Sequence, residues 1–280
     1  MKPFRLALML VLLTASPVAA QTPTAPDDDP VPSQCLAIAQ SLPGATFASY
    51  QPEDGLPLVA AQAAAADVTI TYAGHSTYVI ETPAGLRIAT DFSGHYGTEP
   101  LPDVVTMNKA HRTHYTDTPD PHIGHVLRGW NPDGDGPARH AETIEDAYIR
   151  NVPTDIRRWG DLEVGGNSIF IFEVAGLCIG HLGHLHHHLE DAHYAAIGRL
   201  DIVMVPIDGG MTLSVDGMSA IARRLMSSII LPMHRHAAPL SEFTGRMGEA
   251  FAVEFHDTRS FTVSLRTLPR RPTVLVLKGV

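Results

Sequence analysis

From residue 68 onward the chain is built of short runs in which β-branched and aromatic residues alternate with polar ones, each run bounded by Gly, Pro or Asp. This pattern predicts strands over 68–72, 77–82, 86–90, 103–107, 148–152, 168–174, 177–180 and 202–206. Two stretches carry the helical period instead, 191–198 and 215–227; in the second, Val215, Met218, Ile221, Ala222 and Leu225 share one face. A further buried strand is expected over 228–232, and 261–265 with 273–277 read as a closing pair. Between residues 117 and 140 Pro, Gly and Asp dominate without periodicity, which predicts a long ordered surface loop of the kind that carries function. Strands in a run, followed by strands alternating with helices, fit an α/β fold of two sheets with helices on their outer faces.

The first part of the chain has a different texture. Lys2 and Arg5 precede the apolar run 6–13, and Val18, Ala19 and Ala20 form a small-residue cleavage site, so residues 1–20 are expected to be a signal peptide. The protein is then expected to be exported, periplasmic or secreted, after cleavage near Ala20. Residues 21–66 read as a Pro- and Ala-rich segment with one short helix over 35–41, and 67–280 as the folded domain. The apolar run is far shorter than the roughly 20 residues a spanning helix needs, so no membrane anchor is expected.

Composition narrows the chemistry. Twenty Lys and Arg against 30 Asp and Glu give a net charge of −10 with no basic block, which argues against a nucleic-acid partner. Two cysteines among 280 residues exclude a zinc ribbon or a disulfide scaffold. Cys35 and Cys178 either pair in an oxidising compartment or stand as separate buried thiols, and sequence leaves both open. Sixteen histidines point to imidazole chemistry. Six of them fall at or just beyond predicted strand ends: His75, His111, His114, His181, His184 and His234. Loops leaving one edge of stacked sheets meet at one rim, and neutral imidazoles gathered there suit Zn2+.

The residues that carry a family resemblance lie along the same stretch. VTITYAGHSTYVIET from Val68, IATDF from Ile88, GNSIFIFEVAGLCIGHLGHLHHHL from Gly166, DIVMVPIDG from Asp201 and IILPMHRH from Ile229 resemble the metallo-β-lactamase fold. Their nearest resemblance is to the branch of ascorbate-phosphate lactonases and N-acyl-phosphatidylethanolamine phospholipase D. The resemblance implies an αββα sandwich with metal at the sheet rim. It also exposes departures. Where the family has H-x-H-x-D-H, this chain has Lys109 in place of the first ligand and Thr113 in place of the aspartate, keeping His111 and His114. His184 stands where the bridging aspartate belongs, and near residue 154 only Asp155 is available for a further histidine.

These departures imply a mononuclear centre of one Zn2+ per chain held by His114, His184 and His234, with His111 as a fourth ligand or a supporting group. Lys109 would stabilise an oxyanion or phosphate oxygen where a metal is missing. His75, Asp91 and His181 would support the ligands from outside, as carboxylates and carbonyls fix imidazole tautomers. Asp208 reads as an acceptor for a ligand or a general base, and Trp130 as a cleft wall or a packed anchor. His186, His187 and His188 cannot all face one ion. The expected activity is zinc-dependent hydrolysis of a small-molecule ester, lactone, amide or phosphodiester by a metal-bound water. The broken motif favours an alternative from a different class, a non-catalytic metal- or ligand-binding protein on the same fold, and a third reading is a redox or metal-stress sensor using Cys178.

Overall fold

The structure is a computed structural model that describes residues 33–36 and 66–280, apart from residues 98, 135, 159, 160 and 237. The expected signal peptide, most of the 21–66 segment, and the helix expected over 35–41 beyond Leu36 lie outside the described residues.

The alternating run at the start of the domain becomes β1 (Val68–Gly74), in which Val68, Ile70, Tyr72 and Gly74 are buried and the residues between them half-buried. Period-2 alternation places every second side chain against the core. β2 (Thr77–Glu81), β3 (Arg87–Ala89), β4 (Val104–Met107) and β5 (His125–Arg128) follow in the same sheet. The chain then crosses to a second sheet through β6 (Ala141–Ile144), β7 (Ala147–Arg158), β8 (Asp161–Val174) and β9 (Leu177–His181). Helices now alternate with strands: α1 (Asp191–Ile197), β10 (Ile202–Pro206), α2 (Val215–Leu225), β11 (Ile229–Met233), α3 (Leu240–Met247) and β12 (Ala252–Phe255). The last two strands are β13 (Ser260–Val263) and β14 (Thr273–Val276). The six-stranded sheet has the order β13-β1-β2-β3-β4-β5, and the eight-stranded sheet β12-β14-β11-β10-β9-β8-β7-β6.

Two apolar layers hold this together. Between the sheets, Ile70, Tyr78, Ile80 and Ile88 face Phe170, Phe172, Ile179, Met204 and Leu231. On the outside of the larger sheet, Ile197 of α1, Met218 and Ile221 of α2, and Phe243 of α3 cover Ile171, Val203, Val205 and Ile230. β10 and β11 are therefore buried on both faces and read as unbroken apolar runs, as parallel strands do. The outer face of the smaller sheet is covered by loop residues instead: Phe92, Ile123, Tyr115 and Trp130 pack on Val79, Val105 and Met107. All three described helices thus pack on one side of the sandwich.

Several local expectations change. The stretches 261–265 and 273–277 do not pair with each other: β13 joins the first sheet beside β1, and β14 lies between β11 and β12 in the second. β5 forms inside the stretch read as loop, because Val126 and Leu127 supply the apolar contacts while its outer positions are polar. α3 and β12 were not expected from the pattern. Strand β7 continues past Pro153, where a strand break was expected. Its pairing with β6 stops at Arg150, so Pro153 lies past the end of that ladder and its missing N–H is tolerated, while further along the same edge the Asp155 and Arg157 amides meet His187 and His186.

Cys35 and Cys178 form a disulfide, with Cα atoms 5.9 Å apart. The sensor reading of Cys178 therefore has no free thiol to use. The same short segment is held by Glu173, which accepts from Ser33 Oγ and from the Gln34 amide at 2.8 Å. Glu173 also pairs with buried Arg150, whose guanidinium donates to the carbonyls of Ala196 and Ile197 at 2.7 Å and so closes the end of α1. No helix among the described residues is long and apolar enough to cross a membrane.

The disulfide closes a loop of 143 residues. Restricting so long a loop in the unfolded chain stabilises the fold by about 2–5 kcal/mol. A Cys35→Ala/Cys178→Ala variant is expected to lose stability in that range by urea denaturation followed by circular dichroism, and an unchanged midpoint would contradict it.

Candidate metal centre

Strand direction explains why distant histidines meet. In the smaller sheet β1, β3, β4 and β5 point the same way, and in the larger one β9, β10 and β11 are mutually parallel. Their carboxyl ends supply His75 after β1, Asp91 after β3, His111 and His114 after β4, His184 after β9, Asp208 after β10 and His234 after β11. His75, His111, His114 and His234 each bring one ring nitrogen into a group within 4.8 Å of one another.

Hydrogen bonds decide which nitrogen faces inward. His114 is fully buried, and its Nδ1 lies 2.6 Å from Asp91 Oδ2 and 3.1 Å from Ser76 Oγ. A carboxylate only accepts, so Nδ1 carries the proton and Nε2 keeps its lone pair. That Nε2 is buried without a hydrogen-bond partner. His234 repeats the arrangement: Nδ1 donates to Asp208 Oδ1 at 3.1 Å, and Nε2 faces His111 Nε2 at 3.4 Å. His111 Nδ1 lies 2.6 Å from the Thr113 hydroxyl, which is also 3.0 Å from His75 Nε2. Lone pairs turned toward one another, one of them orphaned in the interior, fit a bound cation.

Behind the imidazoles stands a second layer of fixed dipoles. Asn108 donates to Asp91 Oδ1 at 2.8 Å and accepts from the Ser168 amide at 2.7 Å, while Asn167 accepts from the His184 amide at 2.7 Å. Gly183, at φ +62°, makes room for both: a Cβ there would lie 2.4 Å from Asn167 Oδ1 and 2.5 Å from Asn108 Nδ2. Three site residues that are not glycine, His75, Asp91 and His234, hold φ between 44° and 54°. Each such residue costs on the order of 1–3 kcal/mol, and such strain concentrates where geometry serves function. The His234 amide donates to the His75 carbonyl at 2.7 Å, which locks two of them together.

The expected site residues divide as follows. His111, His114 and His234 converge, and His75, expected only to support them, joins the donor group. The His184 ring packs 4.7–4.9 Å from the rings of His111, His114 and His234, yet it lies outside that group. Asp91 supports His114. His181 has both nitrogens engaged, Nδ1 accepting from the Gly183 amide and Nε2 donating to the Ser76 carbonyl, so it braces the rim. Lys109 is ion-paired with Glu163 at 2.6 Å rather than free to meet a substrate oxygen. Asp208 accepts from the amides of Gly210, Met211 and Thr212 as well as from His234 and Thr212 Oγ1. Burial pushes its pKa up, but the hydrogen bonds from His234, Thr212 and Gly210 outweigh this and hold it well below the usual carboxylate range. Asp208 is thus an orienting acceptor, with no idle oxygen to serve as a general base. Asp155 accepts from the Gly165 amide within the β7–β8 hairpin. Trp130 packs edge-on against Tyr115 with ring centres 5.6 Å apart and also lines a cavity of about 390 Å³ with Arg128, Asn131 and His140, so it meets both expected descriptions. Asn108 and Asn167 were not singled out as site residues and Thr113 only as the replacement for an aspartate; Asn108 directly precedes the KAHRTH stretch, which was the one hint at it.

A two-sheet sandwich that gathers imidazoles at the carboxyl ends of its strands defines the class, an α/β sandwich with a histidine-rich candidate metal site at its rim. The Beta-lactamase superfamily domain matches residues 69–234. A UPF0173 metal-dependent hydrolase of Methanosarcina barkeri is 24% identical over 191 residues, 60% of this chain and 83% of that one. A Thermotoga maritima protein, a candidate Zn-dependent hydrolase of the metallo-beta-lactamase superfamily, superposes with a TM-score of 0.52 at 25% identity, covering 75% of this chain and 98% of its own. A metallo-beta-lactamase fold protein of Bacillus subtilis shares the fold at 10% identity, with a TM-score of 0.51 and coverage of 77% and 98%. The chain belongs to the metallo-β-lactamase superfamily.

Burial, and then repulsion between neighbouring imidazoles, lowers the pKa of His75 to about 4 and holds His111, His114 and His184 below the usual histidine range. Burial, and then the charge of Arg157, also brings His186 to about 4. Free imidazoles take up protons near pH 6.5, so between about 6.5 and 4 the unfolded chain binds more protons than the folded one. The stability these neutral rings contribute is complete above about pH 6.5 and is lost as pH falls toward 4. In chelator, the melting temperature followed by circular dichroism is expected to fall steadily over that window; a flat profile would show that the rings are not held neutral.

Proposed function

We propose that the chain is an exported zinc hydrolase that cleaves a small-molecule ester, lactone, amide or phosphodiester at one ion held by His111, His114 and His234, with His75 as a fourth imidazole. The orphaned, buried Nε2 of His114 among three other imidazole donors carries this reading. An all-nitrogen set at the rim suits zinc, and the Thermotoga maritima relative's description names the same metal. When bound, such an ion supplies a nucleophile from water at neutral pH and polarises the electrophile. The chain's own part is positioning: Asp91 and Asp208 hold the inward lone pairs of His114 and His234, and Thr113 holds His111. A single ion is supported by the four donors within 4.8 Å of one another and by Lys109 being turned to Glu163.

A small substrate is supported by a cavity of about 350 Å³ lined by Phe92, Tyr96, Leu101 and Thr116. Tyr96, which lines this cavity, stacks on His75 with ring centres 5.8 Å apart, so one side chain links it to the imidazoles. Export is supported by the leader-like residues 1–20 and by the Cys35–Cys178 disulfide, which belongs to an oxidising compartment.

One observation favours the non-catalytic reading: four imidazoles can saturate a tetrahedral ion and leave no open position. Elemental analysis and a panel of lactone, ester and phosphodiester substrates separate the two. The hydrolase reading expects close to one zinc per chain, activity abolished by chelation and restored by Zn2+, and loss of both metal and turnover in His114→Ala. A steady two metals per chain, or turnover that survives complete metal removal, would sink it. Stoichiometric metal without turnover on any substrate selects the binding protein.

A further inference from the structure

The run of histidines after β9 has no place in the ligand set, yet its hydrogen bonds form an ordered relay. His186 Nδ1 accepts from the Arg157 amide of β7 at 2.6 Å. An imidazole nitrogen that accepts has no proton, so neutral His186 carries its proton on Nε2. That Nε2 is in a short contact with His184 Nδ1. His186 therefore donates and His184 Nδ1 accepts, which leaves the single proton of neutral His184 on Nε2. Neither ring has room for a second proton, because each Nδ1 must keep its lone pair to accept, from the Arg157 amide in His186 and from His186 Nε2 in His184.

His184 Nε2 is buried and has no partner. Its ring stands edge-on to the rings of His111, His114 and His234 at 4.7–4.9 Å, so it borders the same space as the metal donors. His114 Nε2 is also orphaned, but the two atoms are chemically opposite. A carboxylate behind His114 leaves a lone pair on its inward nitrogen, and an N–H donor behind His184 leaves a proton on the inward one. The neighbouring His187 shows that the β7 backbone fixes tautomers in this segment: its Nε2 accepts from the Asp155 amide at 3.1 Å and its Nδ1 donates to the His188 carbonyl at 2.8 Å. The Asp155 and Arg157 amides are available because β6 pairs with β7 only as far as Arg150, which leaves the outward amides beyond it to these side chains.

We propose that His184 presents an N–H donor, and not a metal ligand, to the space between His111, His114 and His234, and that it hydrogen-bonds an acyl or phosphoryl oxygen of the substrate as that oxygen gains negative charge. This rests on the hydrolase reading for its substrate, but the tautomer itself does not. A fixed donor aimed at developing charge needs no reorganisation when the charge appears. His186 is then a positioning residue that sets the direction in which His184 donates. The assignment replaces the ligand role that the HLGH stretch suggested for His184.

Selective 15N-histidine labelling and two-bond 1H–15N NMR read each imidazole's tautomer directly, with His184→Ala and His186→Phe used to assign the signals. In metal-free protein, His184 is expected to be protonated on Nε2, and His114 and His234 on Nδ1. One equivalent of Zn2+ should move the Nε2 signals of His114 and His234 to metal-bound positions and leave His184 protonated on Nε2. In His186→Phe the donor to His184 Nδ1 is gone, and both tautomers of His184 should appear. In competition with a chromophoric chelator, His184→Ala should bind zinc within about threefold of the parent, whereas His234→Ala should lose about a hundredfold or more. A proton on His184 Nδ1 in the metal-free protein, or a metal-bound Nε2 after zinc, overturns the proposal. So does a zinc defect in His184→Ala as large as that in His234→Ala. Parent protein that binds no zinc would sink the metal reading instead, while the metal-free spectrum still decides the tautomer.

Discussion

The side-chain amide of Asn108 joins the two halves of the sandwich at the rim where the site forms. Its carbonyl accepts from the backbone of Ser168 in the larger sheet, and its NH2 donates to Asp91 in the smaller one. Asp91 in turn fixes the tautomer and the plane of His114. Apolar packing sets the spacing of the sheets only loosely, because side chains repack, whereas a buried amide with its partners in place allows one geometry. An aspartate at this position would lose the donor to Asp91 and set two carboxylates face to face, and a leucine would leave Asp91 and the Ser168 amide short of partners. The two close glycine positions answer the same constraint: a Cβ at Gly129 would meet Asn108 Oδ1 at 2.3 Å, and one at Gly183 would meet Asn108 Nδ2 at 2.5 Å.

Much of this fold was legible because its signals are local. The alternation of β1 and the apolar runs of β10 and β11 report burial on one face or on two, and that depends on a few adjacent residues. Partnership between strands does not. β13 and β14 are neighbours in sequence, yet the helices and β12 of the second half leave an open place beside β11 for one, while the exposed edge of β1 takes the other. Short polar elements such as β12, with three of its four residues exposed, carry almost no periodic signal to read.

The site shows the same division. That histidines at strand ends would meet followed from strand direction alone. Which nitrogen each presents depends on partners distant in sequence: Asp91 for His114, Asp208 for His234, and the Arg157 amide acting through His186 for His184. Spacing contains none of these. The exchange of His75 for His184 in the donor group has this origin, since His75 is carried inward by a left-handed backbone at the β1–β2 turn while His184 is directed by a neighbour's proton.

Replacing carboxylate ligands by neutral groups also changes the electrostatics of the centre. Thr113 and His184 stand where the resemblance leads one to expect aspartates, so no anionic side chain belongs to the donor group, and a divalent cation held there would keep its full charge within the ligand shell. The compensating charges lie one imidazole further out, on Asp91 and Asp208, both buried. From behind the rings a carboxylate raises ligand basicity without occupying a coordination position. A less neutralised ion is the stronger electrophile, and a site that gives up direct charge neutralisation gains most where charge develops on an oxygen that it must stabilise. On the proposed reading, His184 as a donor and the replacement of the expected carboxylate ligands are parts of one arrangement, in which negative charge arriving with a substrate would be met by the His184 N–H.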